Sequence, residues 1–488
     1  MSPWPAILDA LQRPASADGR ARRAALAPLL GIPGETPADA AEIQALELLA
    51  AGERAVLVSG QQAGLCLGPF LLLSKCLGLL ALADRAEAAG VPRPLTIFWL
   101  EGNDHDWREA ATPGRPLPDG WSAPCPTGGE GRSVGQVTAP DEWWTSQRTA
   151  LAPLVGSLDP ELSRAMESTL QGSLTDHSRQ LLRILFAGSG LLILDPARPA
   201  LRQLAAPFLQ RLQDDGSELA RSLMERTMAL RAAGHATPVL VDERPPWFFE
   251  TATGVRRRAE PGEQAPLEAC SPNVLTRPLL QDWLLEPAAV LLGPSEKAYT
   301  AQAESAREWM GLVTPVPLAR PTLQLARRAD VTEFRAAGLD PWLPPQAGQA
   351  WPEDLLLGLA GGPALQLELA AVAEAGGRLS ALCSASGRPD LEQLAKRQDA
   401  LQEQMRQALW NAHKARHKES LRRLHGLAAW QDGPGAPQER RVNALALLSR
   451  MGGVALLSGL RRMLDPLAAT QQRFVCETDG EVSREIGC

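Results

Sequence analysis

Ala55-Val56-Leu57-Val58-Ser59-Gly60-Gln61-Gln62-Ala63-Gly64-Leu65-Cys66-Leu67-Gly68-Pro69 decides the reading of this chain. The apolar run Ala55–Val58 fits a buried strand, and Ser59–Pro69 reads as a glycine-rich loop leading from that strand into a helix. The helix is predicted from Phe70 to about Ala88. After the turn Gly90-Val91-Pro92, a second strand, Leu95–Leu100, ends in Glu101-Gly102-Asn103-Asp104-His105-Asp106-Trp107. Strand, helix and strand in so short a span is the βαβ pattern, which implies neighbouring parallel strands. Ligands of open parallel sheets bind outside the carboxyl ends of the strands, where both polar clusters stand.

Working outward, further strands are expected at Leu191–Asp195, Pro238–Asp242 and Ala288–Leu292, the last ending in Gly293-Pro294-Ser295-Glu296-Lys297. Helices are expected at Ala21–Leu30, Ala38–Ala51, Asp176 to about Ala187 and Pro199–Ala233, with an irregular Pro-, Gly- and Ser-rich insertion over 111–145. This predicts an α/β protein with a doubly wound parallel sheet core over 1–325, carrying insertions at about 110–175 and 200–270. A helical domain follows over 326–435, and a C-terminal helical segment, 436–488, returns to the core. In the helical domain Leu391, Leu394, Gln398, Leu401, Met405, Ala408, Ala412 and Ala415 recur at the spacing of a coiled-coil seam. With the helix Pro363–Cys383 they would form an antiparallel hairpin turning near Ser386–Pro389.

At 488 residues the chain is long enough for two or three structural units. No window approaches the ~20 apolar residues of a membrane span. A net charge of −7 offers no basic surface for nucleic acid. The N-terminus lacks the basic and apolar blocks of a secretory signal. Seven cysteines, at 66, 76, 125, 270, 383, 476 and 488, are odd in number and form no C-x-x-C pair, which argues against a disulfide framework and a structural zinc site. A reducing cytoplasm is the expected location.

Three constellations could carry chemistry. Gly60, Gly64 and Gly68 would let a ligand approach main-chain amides at a helix N-terminus, a setting suited to phosphate. Lys75 could reach the same anion or point to solvent, and Ser59, Gln61 and Gln62 add neutral polar groups. The bland alternative is an ordinary glycine-rich turn. Asp104-His105-Asp106 could supply a general base, since a flanking carboxylate stabilises the protonated imidazole. It could equally be a polar loop whose aspartate caps the next helix. Gly293, Ser295 and Glu296 read as a helix start with ligand-facing groups or as capping alone. No metal site is expected: the histidines 413, 417 and 425 stand among Lys and Arg on a solvated face, and Cys66 has no base beside it in sequence.

Val58–Gly64 with Gly68-Pro69 and Lys75, then Phe98-Trp99 with Asp104-His105-Asp106, resemble the bacillithiol biosynthesis cysteine-adding enzymes. Ser271-Pro272-Asn273-Val274 with Arg277-Pro278, Gly293-Pro294-Ser295-Glu296 with Tyr299, Pro315–Arg320, and Pro437-Gln438-Glu439-Arg440 with Asn443 follow in the family's order. The resemblance implies a Rossmann-like core and a coiled-coil domain supporting a homodimer. It also implies an ATP or ADP ligand and a ligase joining cysteine to glucosaminyl-malate by an amide bond. On that reading the loop amides and Lys75 would hold phosphate, and His105 or Asp106, with Asp104, would remove the ammonium proton. Asn273, Arg277, Ser295 and Glu296 would orient substrates. A non-catalytic nucleotide-binding scaffold, and a transferase using preactivated cysteine, are the alternatives.

Overall fold

A computed structural model of the chain describes residues 3–31, 39–118, 120–343, 361–431 and 436–485. The predicted helix start at Ala38 and the seventh cysteine, Cys488, lie outside the described residues. The chain divides into two units, Met1–Leu323 with Glu439–Cys488, and Gln324–Gln438.

Within the first unit the strands are β1 Val56–Gln62, β2 Leu95–Glu101, β3 Leu192–Leu194, β4 Trp247–Glu250, β5 Arg256–Arg258, β6 Cys270–Pro272, β7 Ala289–Leu292 and β8 Val316–Ala319. The central sheet runs β3-β2-β1-β7-β8 with parallel pairing throughout. Alternate residues of three strands (Val56, Val58, Leu95, Ile97, Trp99, Leu192, Leu194) point into one apolar core with Leu26, Leu30 and Leu49 of the N-terminal helices. The helix Leu71–Ala88 packs on β1, β2 and β7 and makes the crossover from β1 to β2. The chain steps outward from β1 to β2 and β3, then returns to the other side of β1 as β7 and β8. That reversal makes the gap between β1 and β7 a topological switch point.

Four expectations change. β1 does not stop at Val58: Ser59, Gly60, Gln61 and Gln62 continue it, each paired with β2, so the first part of the predicted loop is strand. Glycine is needed at 60 because a Cβ there would stand 2.8 Å from the Trp99 carbonyl oxygen. Pro238–Asp242 forms no strand. The insertion instead contributes β4 and β5, which with β6 form a separate antiparallel sheet, β5-β4-β6. The helix predicted over Pro199–Ala233 is broken into Pro199–Leu204, Ala206–Asp214 and Gly216–Ala232. The C-terminal segment holds helices Ala444–Arg450 and Ala455–Met463 and then, unexpectedly, an antiparallel hairpin of Gln472–Cys476 with Val482–Glu485.

In the second unit Gly362–Ala385 and Pro389–Arg416 form an antiparallel helical hairpin, tied where Gln402 donates to the Val372 carbonyl and Ser380 to Asp399. Of the predicted seam, Gln398 faces the other helix. Leu394, Leu401 and Met405 lie on the outer face, 50–56% exposed. The next helix, Lys418–Ala428, closes a small core of Leu421, Leu424 and Ala428 on Phe334, Leu339 and Trp410.

Candidate active site

A cavity of about 440 Å³ opens at the switch point. Gly60, Gln61 and Gln62 from β1, Trp99 and Glu101 from β2, and Leu292 with Gly293 after β7 all line it. Lys75, Arg277, Arg320 and Arg440 bring positive charge to its wall, and Glu101, Asp104, Glu109 and Glu296 negative charge.

Lys75 is buried, and its three ammonium protons have three protein acceptors: the Gly60 carbonyl, Gln61 Oε1 at 2.8 Å and Glu296 Oε1 at 2.8 Å. Burial pulls its pKa below the ordinary lysine value, against the Glu296 carboxylate, which favours the charged form. The lysine thus fastens the end of β1 to the helix Pro294–Gln302. It is not a free grip for phosphate. Glu296 completes the clasp by accepting from the Gly293 N–H, while Ser295 stands exposed beside it on the cavity wall. Pro294 brings no N–H and the Gly293 N–H is taken by Glu296, which leaves the amides of Ser295 and Glu296 as the first-turn donors.

The glycine rim, Ala63–Pro69, is committed to protein partners. The N–H groups of Ala63, Gly64, Cys66, Leu67 and Gly68 donate to Glu101 O, Ser178 Oγ, His177 Nε2, Gly64 O and Leu65 O. The amides expected to cradle phosphate therefore hold the rim itself. Asn443, from the C-terminal segment, donates through Nδ2 to the carbonyls of Cys66, Gly68 and Pro113 while its Oδ1 caps the helix Ala444–Arg450. This network keeps three consecutive residues left-handed, Cys66 (φ 52°), Leu67 (φ 64°) and Gly68 (φ 60°). For the two non-glycine residues that conformation costs about 1–2 kcal/mol each. Cys66 is fully buried against Met166, and burial pushes its thiol far above the ordinary cysteine value, which rules it out as a nucleophile. Because His177 Nε2 accepts from Cys66 N–H, its proton sits on Nδ1, facing Thr169. Burial pulls this imidazole down to about 4.

At the end of β2 the three predicted residues separate. Asp104 lines the cavity and accepts from Gln62 Nε2 and the Asp106 N–H. Burial opposes its ionisation, but these bonds and the nearby Arg256 outweigh it and hold the carboxyl below its ordinary value. Asp106 caps the short helix Trp107–Ala110 by accepting from Glu109 N at 2.9 Å, the bland alternative. His105 turns towards the antiparallel sheet, where Arg256 donates to its Nδ1 at 3.1 Å and stacks on Phe248. Neither His105 nor Asp106 lines the switch-point cavity.

Two further expectations are corrected. Ser59 is buried in β1 and donates to the Leu291 carbonyl at 2.9 Å, joining β1 to β7. Asn273 accepts from the amides of Leu275 and Thr276, fixing the turn before the helix Arg277–Leu285. Both serve the fold, since their polar atoms are spent on hydrogen bonds to backbone groups. Arg277 does line it, donating to the Tyr299 hydroxyl at 2.8 Å beside Glu101.

Glu109, Arg320 and Arg440 had no predicted role. Glu109 is exposed at the cavity's edge, where partial desolvation and then the Asp106 and Asp104 carboxylates raise its carboxyl above the ordinary value. Arg320 pairs with the buried Glu439 at 2.6 Å, yet its Nε is buried with no hydrogen-bond partner. Its sequence signal was its place at the end of Pro315–Arg320. Glu109 was visible as a second carboxylate five residues after Asp104. Among the described residues no group of three His, Cys, Asp or Glu side chains is placed to hold a metal ion.

A family model described as bacillithiol biosynthesis BshC, N-terminal Rossmann-like domain, matches residues 9–267 and 263–321. Proteins named "Putative cysteine ligase BshC" align with the chain. That of Shouchella clausii is 31% identical over 277 residues, 50% of each chain. That of Koribacter versatilis is 30% identical over 305 residues, 56% of this chain and 55% of the relative. That of Solibacter usitatus is 31% identical over 326 residues, 62% and 59%. The chain thus spans half to three-fifths of the length of the curated relatives it matches.

Proposed function

Because this chain belongs to the bacillithiol biosynthesis BshC family, we propose that its switch-point cavity is the active site of a cysteine ligase. The reaction is amide formation between the cysteine carboxylate and the amine of glucosaminyl-malate. The observation that carries this reading is the cavity's place at the carboxyl ends of β1, β2 and β7, walled by both carboxylates and guanidinium groups.

A free carboxylate is a poor acyl donor, and ATP, when bound, supplies its activation. The residues present suit such an anion. Arg320 offers a buried Nε with no protein partner, and Ser295 stands at the first turn of the helix Pro294–Gln302. The attacking amine must lose a proton. Asp104 and Glu109 share the cavity, and the raised pKa of Glu109 makes it the better proton acceptor of the two. Gln62 bonds Asp104 and steadies the pair, and Lys75 with Glu296 fixes the spacing between the β1 and β7 sides.

Purified protein incubated with ATP, cysteine and glucosaminyl-malate is expected to yield bacillithiol together with AMP or ADP. No product at high enzyme concentration would sink the ligase reading. One observation favours a second reading, a transferase using preactivated cysteine: the rim amides and Lys75 are engaged with protein. Product formed without nucleotide hydrolysis would decide for it.

Six free cysteines among the described residues suit a reducing cytoplasm, and no single described helix is long and apolar enough to cross a membrane. The outer face of the helical hairpin, with Leu394, Leu401 and Met405 half exposed, suits a homodimer built through a coiled coil. Sedimentation velocity is expected to show a dimer that Leu401→Glu dissociates. A wild-type monomer would overturn that assembly.

A further inference from the structure

A second cavity, about 460 Å³, lies against the first. The two share Gln61, Gln62, Leu71, Glu109 and Arg440, so these side chains form a common wall. The far side of the second cavity is the glycine rim, with Gly64, Leu67 and Gly68, and the short helix carrying Asp106 and Arg108.

Charge in this second cavity is distributed unlike that in the first. There the cations Lys75, Arg277 and Arg320 all have protein partners. Here Arg108 and Arg440 are both exposed, and neither has a side-chain hydrogen bond or ion pair among the described residues. Of the facing carboxylates, Asp106 is turned to its capping bond with Glu109 N. Glu109 feels Arg440 but is raised above its ordinary value by partial desolvation and by its acidic neighbours. Two free guanidinium forks in one concavity suit a carboxylate or a phosphate, which accept paired N–H donors. The rim supplies an independent sign. Leu67 and Gly68, which line this cavity, belong to the left-handed run that the His177 and Asn443 bonds hold in place. Strained backbone over-determined by its surroundings is characteristic of ligand sites.

We propose that the second cavity is an anion subsite in which Arg108 and Arg440 hold a carboxylate or phosphoryl group of a reactant, across the Gln61–Gln62 wall from the first cavity. Arg440, in the wall itself, is the positioning residue that aims the bound reactant at Glu109. The assignment of that anion to a reactant rests on the ligase reading. The subsite itself rests on the two cavities.

The test is calorimetric titration of the full chain with L-malate as a dicarboxylate probe and, separately, with inorganic phosphate and ATP. Binding of malate or phosphate is expected, weakened roughly ten- to a hundredfold by Arg440→Ala and by Arg108→Ala. Arg440→Lys, which keeps the charge but loses the fork, should retain part of the affinity. Arg108→Ala should lower ATP affinity where the subsite holds a phosphoryl group and leave it unchanged where it holds a carboxylate, since that side chain lines the second cavity alone. Malate binding with no phosphate binding identifies a carboxylate subsite, and the reverse a phosphoryl subsite. Absence of binding by either probe, or equal binding by wild type and both alanine variants, would overturn the proposal. Thermal unfolding of each variant establishes that it folds. Binding is read without turnover, so missing product with intact anion binding would sink the ligase reading and leave the subsite standing.

Discussion

The glycine rim at 63–69 and the wall formed by Gln61, Gln62, Asp104, Glu109 and Arg440 are neighbours with opposite uses of their polar groups. In the rim the amides of Gly64, Cys66 and Gly68 donate to Ser178, His177 and the Leu65 carbonyl, and Asn443 donates to the carbonyls of Cys66 and Gly68. In the wall, desolvation and neighbouring carboxylates raise the Glu109 carboxyl above its ordinary value, and Arg440 has no ion pair among the described residues. A glycine-rich loop beside a helix start invites a phosphate assignment. The difference shows that such a loop can instead brace a cavity whose charged groups stand on the neighbouring wall.

The largest effect that could break this comparison is catalytic. Glu109→Gln keeps the shape and hydrogen-bonding capacity of the side chain but cannot take a proton. It is expected to lower kcat by about 10²–10⁴-fold, the range for loss of a general base. His105→Ala and Asp106→Asn, which alter residues outside the first cavity, should cost less than about tenfold. Steady-state kinetics with saturating substrates reads the contrast. Equal losses at all three positions would return the chemistry to the Asp104-His105-Asp106 cluster and remove Glu109's special place.

A smaller effect concerns the rim and pH. The unfolded value for His177 is near 6.5 and burial holds the folded one at about 4. Between those values the unfolded chain binds a proton that the folded chain refuses, because Nε2 accepts the Cys66 N–H. Stability from this group is therefore complete above pH 6.5 and is lost as pH falls towards 4. The full excursion is worth about 3 kcal/mol. Denaturant unfolding across this window should show the wild-type unfolding free energy falling by about that amount relative to His177→Gln, with the variant flatter. Parallel slopes would mean that the imidazole does not hold the rim through its neutral form.

The sheet was legible because β1, β2, β3 and β7 each hold a short apolar run bounded by polar residues, glycine or proline, though β1 runs on to Gln62, and their carboxyl ends located the cavity. β8 was not, since Val316-Pro317-Leu318-Ala319 is short and carries a proline that a lone sequence demotes. β5 is Arg256-Arg257-Arg258, with no apolar residue at all; it forms because Phe248 and Phe249 of β4 lie beneath its guanidinium groups. The strand-end positions of Asp104 and Glu296 pointed to the cavity that they line, whereas Arg277, also in its wall, was suggested only by the resemblance. Arg440 was not legible, since only tertiary folding brings a residue of the C-terminal segment beside Gln62. Nor could spacing reveal that His105 turns away, because that orientation depends on Arg256 in a sheet that periodicity missed.

The smallest expected effect sharpens the boundary between brace and wall at its first residue. Ser59 precedes Gly60 and Gln61, both cavity-lining, and in sequence the three are indistinguishable members of one polar run. Alternation puts Ser59 and Gln61 on the same face, and their partners separate them: Gln61 accepts from Lys75, whereas Ser59 is spent on the sheet. The Ser59 hydroxyl points into the sheet and donates to the Leu291 carbonyl, a backbone group of β7. Ser59→Ala removes one buried hydrogen bond and leaves an acceptor behind, so a loss of about 1 kcal/mol in unfolding free energy is expected. KM for each substrate should stay within about twofold, since no ligand-facing atom is removed. Gln61→Ala, one step further along the same strand, should do more, because it frees Lys75 from one of its three acceptors and opens the wall between the cavities. A Ser59→Ala variant with intact stability and a raised KM would place the hydroxyl in the cavity and move the start of the ligand wall back to the middle of β1.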